Sequence, residues 1–79
     1  MDRYFFDFDN GRASRDEEGT EFLDLKGARL AAVKMLGQLL CDRNASFWDE
    51  PEFGLTVRDD ADLILMRLTV IGTLAPATQ

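Results

Sequence analysis

The sequence predicts an α+β domain of order ββαββ, one helix packed on a small antiparallel or mixed four-stranded sheet. Three observations carry that expectation. Only the stretch from Asp24 to about Asp42 repeats its apolar residues at helical spacing. The segments on either side of it alternate as strands do. Asn10-Gly11 before the helix and Asp59-Asp60-Ala61-Asp62 after it supply turn chemistry for one hairpin on each side. Seventy-nine residues make one domain, at a size where a single core gives marginal stability and oligomerisation relieves the shortage.

Taken in order, Tyr4, Phe6 and Phe8 alternate with Arg3, Phe5, Asp7 and Asp9, so a first strand puts three aromatic rings on the face that meets the helix. Asn10-Gly11 tolerates the positive φ of a type I′ turn, and the chain returns through Arg12 to Arg15 as a short, polar second strand. An acidic turn, Asp16 to Gly19, leads to an extended Thr20, Glu21 and Phe22, with Phe22 closing the bottom of the core.

Asp24 is the expected N-cap, its carboxylate over the free N–H groups of the first turn and its charge against the positive end of the helix dipole. Leu23 and Ala28 stand at the positions of a hydrophobic staple, and Gly27 weakens the first turn. Leu25, Ala28, Ala32, Leu36 and Leu39 form the core stripe. Leu30, Val33, Leu40 and Cys41 form a second strip turned away from the first, and Cys41, among Leu and Ala, reads as a small buried hydrophobe. After the helix, Arg43 to Glu52 has a loop composition interrupted by Phe47-Trp48, two rings that either plug the core or mark a contact surface.

Phe53, Leu55 and Val57 alternate as a third strand. The fourth, Leu63 to Ile71, is apolar at both parities, which suits a strand covered on both faces. Strands one and four are therefore expected in the interior. Ile64, Met66, Leu68 and Val70 would face the helix, with Leu63, Leu65 and Ile71 on the opposite side. Residues 72–79, with Pro76 and small side chains, read as a flexible tail from which Leu74 could still dock.

The formal charge of −6 opposes a broad footprint for DNA or RNA, which depends on Lys and Arg neutralising phosphates, and favours a basic protein partner instead. With no histidine and one cysteine, neither the usual nucleophile and base pairs nor a soft-metal site can be assembled, so no enzymatic activity, cofactor or metal is expected. Asp7 and Asp9 on one strand face read as solvated carboxylates beside Arg12; Asp7-Phe8-Asp9-Asn10-Gly11 departs from a calcium loop, its Gly one position early and followed by Arg12, and the Asp59 to Asp62 run reads as a solvated turn, its side chains capping local backbone donors, rather than as a set of cation ligands. Met1-Asp2-Arg3 carries no apolar leader and no run approaches membrane-spanning length, so the expected location is the cytoplasm, away from any membrane.

Arg3-Tyr4-Phe5-Phe6, Arg15-Asp16-Glu17-Glu18-Gly19-Thr20-Glu21, and the helix opening Asp24-Leu25 with Ala28-Arg29 and Ala32 together resemble a family of small bacterial proteins known as a domain of unknown function. The resemblance spans nearly the whole chain, including Val57-Arg58-Asp59 and the apolar last strand, and implies no activity. The Phe47-Trp48 loop and the longer apolar end depart from it. A looser similarity of pattern, a hairpin, a Gly-containing turn and an Asp-capped Ala-rich helix, links the chain to HicB-type antitoxin domains. That likeness implies the blocking of a small basic RNA-cleaving partner.

The function expected from these residues is that of a non-enzymatic protein-interaction module. Its candidate surface is Phe5, Phe47, Trp48, Leu63, Leu65 and Ile71, apolar side chains that one helix and one sheet cannot all cover, which predicts a homodimer. The alternative is weak nucleic-acid binding through Arg3, Arg12 and Arg15.

Overall fold

A computed structural model of the chain describes residues 1–9 and 13–78. Strands β1 (Asp2–Asp9), β2 (Ala13–Ser14) and β3 (Thr20–Phe22) precede a helix, α1 (Leu25–Asp42); β4 (Glu52–Asp59) and β5 (Ile64–Ile71) follow it. Short 3-10 turns lie at Phe47–Asp49 and Pro76–Thr78. The Asn10-Gly11 turn and Arg12 fall outside the described residues.

All the strands pair antiparallel. β2 and β3 both lie along the side of β1 away from β4, as two pieces of one interrupted edge, so the sheet has four lanes: β2 with β3, then β1, β4 and β5. This is the expected α+β domain, with one correction to its order. The interior strands are β1 and β4, and the apolar last strand stands at the edge. β4 is the one buried on both sides: Phe53, Leu55 and Val57 toward the helix, Gly54 and Arg58 away from it. Composition could not separate the two, because Gly54 and Arg58 are buried by neighbouring side chains and not by their own hydrophobicity.

The core follows the cross-strand register. Phe6, Val57 and Met66 form one row, and Phe8, Leu55 and Leu68 the next. Ala28, Ala32 and Leu36 of α1 lie over them, the two alanines with no exposed surface, which lets the helix backbone come close to the sheet. Phe22 packs edge-on against Phe6 at 5.9 Å between ring centres, closing the core as expected.

Asp24 caps α1 as its sequence suggests, with Oδ1 accepting the Gly27 N–H at 3.0 Å. Other helix expectations fail. Leu23 and Leu25 are exposed, so the staple does not form and the core stripe begins at Ala28. Cys41 is also exposed, as are Leu30 and Val33, so of the second strip only Leu40 packs against the core. Among the described residues no helix is long and apolar enough to cross a membrane.

A bulge sets the faces of β5. The pairing steps from Val57 opposite Met66 to Arg58 opposite Ile64, leaving Leu65 as the extra residue. Strict alternation would send Ile64 inward and Leu65 outward. With the bulge, Leu65 packs against the core and Ile64 is 65% exposed.

Candidate functional site

Across the sheet from α1 lies a charged face built on three cross-strand rows: Asp9 with Gly54 and Thr69, Asp7 with Thr56 and Arg67, and Phe5 with Arg58 and Ile64. Arg58 organises it. Only 7% exposed, it donates from Nε to Asp7 Oδ2 at 2.8 Å, from Nη1 to Asp62 Oδ1 at 3.2 Å, and from Nη2 to the Asp16 carbonyl at 2.6 Å. Its guanidinium carbon also lies 4.6 Å from the centre of the Phe5 ring, a cation–π contact. The hydrogen bond to Asp7 raises the Arg58 pKa, against the opposing effect of desolvation.

The Arg15-to-Gly19 turn fills the break between β2 and β3, and Asp16 does there what a strand backbone does elsewhere. Its Oδ2 accepts the Phe6 N–H at 3.1 Å, and Oδ1 accepts the N–H groups of Glu18 and Gly19. Desolvation works to raise its pKa, but these three N–H groups and the Arg58 charge outweigh it and hold the carboxyl below its ordinary value. Asp7 Oδ1 in turn accepts the Asp16 N–H at 2.8 Å. Asp7 is thus a structural ligand of Arg58 and of this turn rather than a solvated carboxylate. Gly19 closes the turn at φ +70°, a conformation that glycine adopts without strain.

Arg67 lies flat over Gly54, where a side chain at position 54 would meet its guanidinium, and donates to Thr56 Oγ1 at 2.6 Å while approaching Asp9 at 3.8 Å. Arg3 and Arg15 are likewise engaged, Arg3 with Glu21 and the Glu18 carbonyl, Arg15 with Asp62. A phosphate would have to displace carboxylates from both. The shallow cleft of about 410 Å³ on this face is lined by Arg15, Arg58 and Arg67 together with Asp7, Asp9 and Asp62, so its charges are largely met within the chain. At the β4–β5 turn, Asp59 Oδ1 accepts the Ala61 and Leu63 N–H groups, the local hydrogen bonding its composition implies.

The six residues expected to form one apolar surface are separated. Phe5 lies under Arg58, Leu65 has turned inward, and Phe47 packs against the core. Leu63, 61% exposed, stands beside Ile64 at the start of β5. Ile71, 67% exposed, stands at its far end, where Trp48, edge-on to Phe47, covers Gly72. The signal that located Leu63, Trp48 and Ile71 was surplus apolar area. Ile64 was missed because only the bulge puts it outside.

These features define a small α+β protein whose sheet has one edge broken by an Asp-capped turn and the other left open. Residues 3–72 match the family described as a domain of unknown function, DUF6894, and the chain belongs to that family. No curated protein and no solved structure matches the chain at a significant level, and the likeness to HicB-type antitoxins finds no support in these comparisons.

Proposed function

We propose that this chain is a non-enzymatic protein-interaction module. The observation that carries the reading is the setting of β5: a strand at the open edge of the sheet, with Leu63 and Ile64 exposed at one end and Ile71 and Trp48 at the other. An open sheet edge supplies backbone hydrogen bonds to an incoming segment, and the large apolar side chains around it supply apolar contacts. The net charge of −6 favours a basic partner by raising its rate of encounter.

The test is affinity capture from an extract of the source cell on immobilised wild-type chain and on a Trp48→Ala, Ile71→Ser double variant. A protein other than the chain itself, retained by the wild type and lost from a variant with unchanged circular dichroism, supports the reading. Equal recovery on both, or recovery on neither, overturns it.

A further inference from the structure

We infer that the open edge of β5 pairs with β5 of a second copy, antiparallel about a two-fold axis at Leu68, joining two four-lane sheets into one. The inference names an occupant for the backbone edge of β5 and rests, of the reading above, only on that edge being open.

The backbone is the first argument. Among the described residues β5 pairs with β4 alone. Gly72 donates its N–H to the Pro51 carbonyl at 2.8 Å, and with the register of the two strands this sets the alternation: Val70, Leu68 and Met66 turn their N–H and C=O groups toward β4. Arg67, Thr69 and Ile71 therefore present theirs outward. Edge strands of monomeric proteins are ordinarily blunted by proline, charge or interruption. Ile64–Ile71 contains no proline and no acidic residue, in a chain with 15 of the latter, and its one charge is Arg67. Two acidic molecules can meet along this strand without bringing carboxylates together.

The opposite edge has the interruption and the acidic charge that β5 lacks. It is broken between Ser14 and Thr20, and the gap holds Asp16, Glu17 and Glu18. Head-to-tail pairing of one edge on the other, which would propagate into a filament, is blocked, and a closed two-fold pair remains.

Coverage of the core points the same way. Toward the helix, Phe53, Leu55 and Val57 of β4 are 3% exposed or less, whereas their neighbours on β5, Val70, Leu68 and Met66, stay half-buried. The same three side chains from a second copy would complete the layer.

Side-chain chemistry favours this register over the one centred on Arg67. With the axis at Leu68, Leu68 meets its own mate, Met66 meets Val70, and Arg67 meets Thr69. Sliding the strands so that position 67 faces itself sets two like charges opposite each other, which disfavours that pairing. A contact of one strand pair falls near the small end of specific interfaces, roughly 1,000 Å², the range of weak and transient associations.

Sedimentation velocity over about 5–200 µM on the full chain, with hydrogen exchange at both ends of that range, tests the inference. The wild type is expected to dimerise, with the Arg67, Thr69 and Ile71 amides slowing as concentration rises. Thr69→Lys should weaken the dimer about tenfold by facing Arg67 twice, and Thr69→Glu should tighten it by a similar factor despite the added negative charge. Thr69 is exposed, and circular dichroism checks that both variants stay folded. A wild type that stays monomeric at 200 µM, or a dimer indifferent to both substitutions with no change in those amides, overturns the pairing. Either result leaves the capture experiment, and the interaction reading it tests, standing on its own.

Discussion

Asp16 Oδ2 accepts the Phe6 N–H at 3.1 Å in the gap where the edge of the sheet is interrupted. A side chain thus takes the place of a strand. The same carboxylate holds the two N–H groups that shape its own turn, so the Asp16-to-Gly19 run both breaks the edge and satisfies the backbone it exposes.

Asp16→Ala should therefore be costly, about 2 kcal/mol in urea unfolding, because it strands donors that a charged acceptor now serves. Asp16→Asn keeps one acceptor oxygen and should lose about half as much.

Acid stability has the same origin. The folded pKa of Asp16 is depressed, so its contribution is present above the unfolded value of about 3.9 and disappears as pH falls through the lower folded value. Unfolding free energy measured from pH 6 down to about 2 should fall in the wild type. The slope should be shallower in Asp16→Asn, and an identical slope would remove Asp16 as the source.

Two glycines should respond oppositely to alanine. At Gly19 the φ of +70° strains an alanine, and a Cβ would lie 2.9 Å from both Arg3 Cγ and the Phe5 ring; Gly19→Ala should cost about 1–2 kcal/mol. At Gly54 the obstacle is only the far end of Arg67, which can swing away. Gly54→Ala should leave stability within about 0.5 kcal/mol while releasing Arg67 from Thr56. Thermal melts of the two variants check both.

Arg58→Lys should unfold at lower urea than wild type, since an ammonium cannot serve Asp7, Asp62 and the Asp16 carbonyl from one planar fork. Arg58→Ala should fall lower still, because it also leaves Asp7 without its cation and Phe5 without its cover.

The bulge in β5 makes adjacent residues unequal. Ile64→Glu should stay folded within about 0.5 kcal/mol of wild type, whereas Leu65→Glu should lose about 2–3 kcal/mol by placing a carboxylate against the core. A greater loss for Ile64→Glu than for Leu65→Glu would mean that the strand alternates without a bulge.

By itself the sequence determined the helix and the long strands. The Asp24 cap, the Ala28, Ala32 and Leu36 stripe, the aromatic face of Tyr4, Phe6 and Phe8, and the Asp59 turn are set by local spacing and by hydrogen bonds within a few residues. Of the candidate surface, Leu63, Trp48 and Ile71 were legible because surplus apolar area shows in composition. Only the tertiary structure decided the rest. Which strand is interior depends on pairing between segments about 50 residues apart, such as Phe6 with Val57, and the strand with fewer apolar residues won because Arg58 and Arg67 cover its second face. The Asp7, Asp16 and Arg58 network joins three distant stretches with no shared pattern, and a bulge reverses side-chain parity without altering a single residue.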